Sequence, residues 1–434
     1  MSGAAHPPAE SPPPAGLGLG IDLGTSGVRA AVIDAAGTLR AEAALPFAGA
    51  ARRDAEAVWQ AVTALVCALP ASVRAAVGRV AVDGTSGSIL FVDAAGRPAG
   101  PISLYNDRAR PEHAAAIAAA APAESAARGA TSPLARAFAV LPDAPELRLL
   151  HEADWIGARL TGVWGLSDEN NALKTGYDPR DGFWPEWIWR LGLRESQLPA
   201  IRPAGAPLAP LRTDVAAALG LSHDAWVMAG TTDGCAAFLA TGARTPGEGA
   251  TALGSTLTIK LLTRAPVFAP AYGVYSHRIG GQWLAGGASN AGGAVLARFF
   301  TPAEIAALSA RIDPSRPSGL DYYPLPASGE RFPVNDPDLA PRLTPRPADD
   351  AAFLHGLLEG LARIEAEGYR RLAALGADPL CAVRSTGGGA KNPAFSAIRA
   401  RLLGVPLRPA LSQDAAVGTA LLALGLVGEG RAPS

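Results

Sequence analysis

The stretch Gly-Ile-Asp-Leu-Gly-Thr-Ser-Gly, Gly20 to Gly27, constrains this 434-residue chain more than any other. An apolar run ends in Asp22, a glycine-hydroxyl turn follows, and the alternating run Val28 to Asp34 leads away to a Gly37 turn. The pattern reads as a β-hairpin whose turn can face a phosphate. Glycine lets the backbone approach an anion, and N–H groups with the Thr25 and Ser26 hydroxyls can donate to its oxygens. Asp22 would then sit beside that anion, which requires a cation between them; Mg2+ is the usual one. The octapeptide alone also fits a plain hairpin, but its design recurs. Val82 to Gly96 repeats it, and Leu253-Gly254-Ser255-Thr256 before the mostly apolar Leu257 to Leu262 gives a third strand-turn-strand. Two related domains facing a shared cleft are the implied arrangement.

A chain of this length exceeds one ordinary core and favours two or three domains. With 49% hydrophobic and 18% charged residues it should bury a large interior. A formal net charge of -1 leaves no electrostatic footprint for nucleic acid, while local donors can still hold a phosphate-bearing small molecule. Cys67, Cys235 and Cys381 stand apart, with no C-x-x-C spacing and an odd count, as expected of buried thiols in a reducing compartment. Residues 1–15 are Pro-, Ala- and Ser-rich without a basic start or an apolar core, so a disordered tail is expected and not a signal peptide. No segment matches a membrane span, and a cytoplasmic protein is the expectation.

Along the chain, strands and hairpins are predicted from Leu17 to Ala44 and a helix over Ala55 to Leu69. Strands return at Val80 to Val92, and helices are predicted over Pro111 to Arg128 and Leu149 to Leu160. Residues 165–215 read as loops and short helices before a strand over Ala225 to Gly230. The second half should hold a hairpin over Ala250 to Leu262, a strand over Gly280 to Ala285 and a helix over Ala291 to Phe300. A long Pro-rich loop over Pro314 to Pro347, a helix over His355 to Leu375 and a strand over Cys381 to Ser385 complete it.

The ordered set of motifs resembles the FGGY carbohydrate kinases, members of the actin, Hsp70 and hexokinase superfamily. It comprises Asp-x-Gly-Thr-Ser near the N-terminus, Gly-Thr-Thr-Asp-Gly at Gly230 to Gly234 and Leu-Gly-Ser-Thr at Leu253 to Thr256. Gly-Glu-Arg at Gly329 to Arg331, Leu-Glu-Gly at Leu358 to Gly360 and Gly-Gly-Gly-Ala-Lys-Asn at Gly387 to Asn392 follow. Each motif alone is weak; their order from Leu17 to Val427 carries the resemblance. It implies an α/β fold of two ribonuclease H-like domains around a nucleotide cleft. Residues 16–242 would form the N-terminal domain with the sugar site and catalytic Asp, and 243–430 the C-terminal domain with the nucleotide site.

Carried over residue by residue, the resemblance places Gly24, Thr25, Ser26 and Arg29 with Gly254 and Ser255 at the ATP phosphates. Gly292 and Gly293 fall beside the nucleotide, and Gly388, Gly389 and Asn392 at adenosine. A glycine run at a strand end, entering a helix near Pro393, independently suits a flat base against backbone with a helix dipole nearby. Asp233 corresponds to the base that accepts the sugar hydroxyl proton, although Asp-Gly is also a common turn pair. Asp22, with Asp233 beside the reacting groups, would hold Mg2+, Asp22 through water.

The implied sugar residues are Asp83, Thr85, Ser86, Tyr105 and Asp233. Aligned on Val92-Asp93, xylulose kinases carry Gln-Met-His and glycerol kinases Gln-Arg-Glu where this chain has Thr85-Ser86-Gly87, so neither specificity is inherited. Asp83-Gly84-Thr85-Ser86 looks more like ribulose-type kinases. Gly287 to Gly293, Tyr322 to Leu325 and Glu330 to Asn335 look like the short D-ribulose kinase branch. The family's first segment, where Lys and Trp are expected, is degenerate, with Arg136 and Phe138 nearby. The resemblance implies ATP- and Mg2+-dependent phosphorylation of D-ribulose to D-ribulose 5-phosphate, with D-xylulose or another ketose or polyol as the alternative acceptor. A sugar-sensing pseudokinase fits less well, because Asp22, Asp233 and all the phosphate and adenosine loops are retained. Sugar and ATP are the expected partners, with neither nucleic acid nor membrane, and a homodimer is compatible.

Overall fold

The computed structural model describes residues 16–47 and 49–428; the expected disordered tail, 1–15, lies outside them. The chain forms two compact units, each built on a mixed sheet, as the α/β expectation requires. The first takes the chain to Ala240, then His277–Gly281 and the segment from Asp414; the second takes Thr241–Ser276 and Gln282–Gln413. The expected second domain, 243–430, is therefore interrupted, and its last helix belongs to the first unit.

In the first unit β1 (Leu17–Leu23), β2 (Gly27–Ile33) and β3 (Leu39–Pro46) form an antiparallel meander. β1 continues in parallel to β4 (Val77–Gly84), and β5 (Pro207–Pro210), β6 (Trp226–Met228) and the short β7 (Thr231–Thr232) complete a seven-stranded sheet. Alternation along β1 sets what each face can carry. Leu19, Ile21 and Leu23 point into a core with Val58, Val62 and Leu65 of α1 (Ala55–Ala68), which Asp54 caps by accepting from the Glu56 and Ala57 N–H groups. Gly18, Gly20 and Asp22 point to the other face, where a C-terminal helix, Ala415–Ala423, packs on the sheet. The small residues allow this approach: a Cβ on Gly20 would lie 2.0 Å from the Ala416 carbonyl oxygen, and one on Gly418 1.8 Å from that of Ala236.

The second unit repeats the start of this plan. β8 (Glu248–Leu253), β9 (Leu257–Thr263) and β10 (Gln282–Ser289) are antiparallel, and β8 pairs in parallel with β11 (Ala382–Thr386), which pairs with β12 (Leu407–Arg408). Helices Asp350–Ala374 and Pro393–Leu403 pack together over a core holding Ile259, Leu261, Leu357 and Ile398. Glu365 and Arg399 form a bidentate pair inside it, at 2.6 and 2.7 Å.

Several elements differ from expectation. Leu149 and Leu150 are not helical: they pair with Phe91 and Leu90, and the helix starts only at Glu152. The helix predicted to Arg128 ends at Ala120, one residue before Ala121, which precedes Pro122 and is thereby driven out of the α region. The long helix starts at Asp350, before His355, because Asp349 caps it. The helix predicted to Phe300 is a single turn, Gly293–Leu296.

Candidate active site

Strand register in the first unit lines up charge. Asp22 of β1 lies opposite Arg29 of β2 on one side and Asp83 of β4 on the other, and Asp83 lies opposite Thr231 of β7. Two residues beyond Thr231 the chain reaches Asp233, the first residue of helix Asp233–Ala240, whose Oδ1 accepts from the Gly234 N–H at 2.6 Å. Arg29 donates to Asp22 at 3.1 Å. Burial raises the Asp22 carboxyl above the usual carboxylate range, with the Asp233 charge adding to it and Arg29 opposing it. Asp83 is pushed well above that range by complete burial, then by the charges of Asp22 and Asp233. The Thr419 hydroxyl donates to its Oδ2, while no donor among the described residues reaches Oδ1.

Adjacent carboxylates on neighbouring parallel strands destabilise the fold unless a proton or a cation intervenes. A proton between Asp22 and Asp83, whose side chains hydrogen-bond to each other, meets this need in part, and Asp22 is the carboxylate that would meet a divalent ion, with Asp83 buried behind it. Among the described residues no three His, Cys, Asp or Glu side chains converge to hold a metal, so such an ion would keep water or phosphate ligands, as Mg2+ commonly does. Just ahead of this row, Thr25 and Ser26 sit exposed in the β1–β2 turn, closed by a hydrogen bond from the Gly24 N–H to the Gly27 carbonyl at 3.0 Å.

The expected sugar residues divide. Asp83 has no solvent exposure and Thr85 only 5%, and both are engaged by neighbouring side chains. Thr85 bonds Ser88 Oγ at 2.6 Å and accepts from Arg52 at 3.3 Å, and Arg52 is itself paired with buried Glu152. Among the described residues the Ser86 hydroxyl has no hydrogen-bond partner, and Tyr105 is exposed, its N–H donating to Ser88. Gly87 has φ +100°, a conformation that a side chain strains, so the backbone itself asks for glycine here. Arg136, near the degenerate segment, donates to the Gly87 carbonyl, to Ser103 Oγ at 2.5 Å and to the Leu104 carbonyl at 2.8 Å. Burial lowers it to about 10.

In the second unit the expected nucleotide residues meet. Gly254, Ser255, Gly292, Gly293, Gly388, Gly389 and Asn392 all line one cavity of about 770 Å3, whose remaining wall is largely apolar, including Leu257, Leu296, Phe300, Ile305, Leu361 and Phe395. A flat apolar-faced ring with a polar tail fits such a lining. The Gly254–Thr256 and Gly292–Gly293 turns are stitched together: the Gly293 N–H donates to the Gly254 carbonyl at 2.8 Å and the Ala294 N–H to that of Ser255 at 3.1 Å. A Cβ on Gly292 would lie 2.5 Å from the Ser255 carbonyl oxygen. Asn392 caps helix Pro393–Leu403 through the Phe395 N–H and donates to Ser309.

Sequence reasoning missed Thr419, Arg52 with Glu152, and the Ser167-Asp168-Glu169-Asn170-Asn171 segment. Asn170 donates to Thr231 Oγ1 at 3.0 Å and Asn171 to the Thr231 carbonyl at 3.1 Å, while Asp168 accepts from both Asn backbones. Together they fix the strand that presents Asp233. A run of Asx residues next to a short strand was the available signal.

Residues 249–425 match the model of the FGGY family of carbohydrate kinases, C-terminal domain. The chain is 31% identical to apulose kinase of Pectobacterium atrosepticum over 215 residues, an alignment spanning only 43% of each chain. It is 27% identical to xylulose kinase of Streptomyces rubiginosus over 449 residues, covering 95% of this chain and 88% of that one. Among solved structures, a xyloylose kinase from Brucella ovis superposes with a TM-score of 0.83 at 24% identity, covering 94% and 90% of the two chains. Plasmodium falciparum glycerol kinase with ADP superposes with a TM-score of 0.80 at 14% identity, covering 96% and 90%. These likenesses show the fold.

Proposed function

We propose, from the premise that this chain belongs to the FGGY family of carbohydrate kinases, that it transfers the γ-phosphoryl group of ATP to the terminal hydroxyl of a ketopentose, D-ribulose above others. The observation that carries the reading is the acid row Asp22–Asp83, with Asp233 at the head of its helix, beside the exposed Thr25-Ser26 turn. Asp233 accepts the proton as the hydroxyl oxygen attacks the γ-phosphorus and ADP leaves. Thr25, Ser26 and Arg29 donate to phosphate oxygens, and the second unit's cavity takes the adenosine. Asp22 would hold Mg2+, with Asp83 behind it fixed by Thr419; when bound, the ion neutralises charge on the transferred phosphate.

The preference for D-ribulose is supported by Gly87, whose φ of +100° makes a His there strained. The two sugars differ only at C3, so discrimination rests on whether a polar group meets that hydroxyl, and an unpaired one in a closed pocket costs about 1 to 3 kcal/mol. D-xylulose is the second reading, favoured by the xylulose kinase that aligns with 95% of this chain. An ADP-release assay over D-ribulose, D-xylulose, apulose and glycerol decides. The expected kcat/KM is at least about tenfold higher for D-ribulose than for D-xylulose, with glycerol nearly inactive. Equal values, or a preference for D-xylulose, overturn the D-ribulose assignment and leave the kinase reading standing.

A further inference from the structure

Glu330, the centre of the Gly-Glu-Arg motif, touches none of the groups assigned above, yet its carboxylate is 2% exposed and fully engaged. Oε2 accepts from Ser289 Oγ at 2.5 Å and Tyr323 OH at 3.1 Å. Oε1 accepts from the backbone N–H groups of Asn290 at 2.8 Å and Arg331 at 3.0 Å. Asn290 returns a bond to the Gly329 carbonyl at 2.9 Å, and Glu330 and Asp336 exchange backbone bonds at 2.8 and 2.9 Å, so the carboxylate stands on a fixed base.

Its bonds end where the nucleotide turn begins. Ser289 Oγ, donating to Glu330, accepts from the Ala291 N–H at 2.9 Å; the Ala291 carbonyl accepts from the Leu257 N–H at 2.8 Å; and Gly292 and Gly293 follow against Gly254 and Ser255. A turn of small residues has no side chains with which to hold its own position. We propose that Glu330 is a positioning residue for nucleotide binding, anchoring the Ser289–Ala291 backbone so that Gly292-Gly293 and Gly254-Ser255 form the phosphate-side wall of the cavity. The proposal rests on the cavity being the nucleotide site.

A carboxylate acceptor is replaceable in part by an amide. In Glu330→Gln the amide oxygen can still accept from Asn290 and Arg331 while its NH2 donates to Ser289 and Tyr323, whose hydroxyls can reverse. Glu330→Ala leaves buried N–H groups unpaired at the turn. Tyr323→Phe removes one bond to Oε2 while leaving those of Ser289, Asn290 and Arg331 in place. Calorimetric ADP binding and thermal melting are measured for each purified full-length variant, with Ser289→Ala as a second way into the turn should Glu330→Ala fail to fold. The expected pattern is ADP affinity weakened about tenfold or more in Glu330→Ala and Ser289→Ala, and within about threefold of wild type in Glu330→Gln and Tyr323→Phe. KM for the sugar should stay within about twofold in every folded variant. Lowered melting temperature with unchanged ADP affinity in the folded turn variants would make Glu330 merely structural and overturn the proposal. Wild-type protein that binds no ADP would instead sink the nucleotide site itself.

Discussion

The two units start from the same strand plan and treat buried acid in opposite ways. In the first, Asp22, Asp83, Glu152, Asp168 and Glu169 are all held above the ordinary carboxylate range, burial being the leading cause in each. In the second, burial also pushes Glu248 and Glu359 upward, but hydrogen bonds and arginines outweigh it. Glu359 accepts from the Ser318 N–H at 2.7 Å and Arg401 at 2.9 Å and falls to about 2. Where arginine and backbone donors outweigh burial, as at Glu359, the acid is a finished structural contact; at Glu152 burial outweighs the Arg52 pairing. Acids stacked against each other hold charge that awaits a proton or a cation, which is where chemistry on phosphate is done.

The largest effect should follow from breaking the first unit's row at its half-buried end, Asp233. Asp233→Asn keeps size and polarity while removing the proton acceptor, so turnover should fall by about two to four orders of magnitude. ADP affinity, to which Asp233 does not contribute in the proposed function, should stay within about threefold. A variant retaining more than about a tenth of wild-type turnover removes Asp233 from the role of base.

What was legible in the sequence was local. Gly24-Thr25-Ser26, Gly254-Ser255 and Gly388-Gly389 sit just past strand ends, so a few adjacent letters specify their turns, and the hairpins around them lie where the alternation puts them. What was not legible depends on distant contacts. Thr419 reaches Asp83 across 336 residues from a helix of small apolar residues in which nothing marks it. The Thr85 hydroxyl carries no sign in the sequence of which way it faces; Arg52 and Ser88, its partners, are settled by packing. Leu149 and Leu150 fit a helix or a strand equally until Leu90 and Phe91 pair with them.

The contrast in acid chemistry can be inverted by a pair of isosteres. Glu169, half-buried at the head of a short helix, is raised to about 7 by burial, against the Ala204 N–H and Arg278. Its neutral form suits the fold, so the stability it contributes is intact below its ordinary value and lost as pH rises through about 7. Glu169→Gln should thus match wild type near pH 4 and be more stable near pH 8, by at most about 3 kcal/mol. Glu359 has the opposite sign. Its ionised form suits the fold, and its contribution is present above the ordinary carboxylate range and lost as pH falls towards about 2. Glu359→Gln should therefore cost roughly 3 kcal/mol near pH 7, the scale for removing one partner of a buried pair, with the gap closing in acid. Denaturant melts across pH measure both, and shifts of the same sign would end the distinction between the two units.

The smallest effect probes the wall of the second unit's cavity without touching charge. A Cβ on Gly389 would lie 2.8 Å from Leu253 Cβ and 3.5 Å from Phe395 Cε1, so Gly389→Val must either push these residues aside or enter the cavity. Either response narrows the space for a base, and the branched side chain has no polar group to offer in exchange. KM for ATP should rise about tenfold, equivalent to about 1.4 kcal/mol, while turnover at saturating ATP and KM for the sugar stay within about threefold because the acids of the first unit are untouched. A folded Gly389→Val protein with unchanged KM for ATP would place the adenosine elsewhere, and a fall in turnover without a change in that KM would mean the two units do not divide the work as their acids suggest.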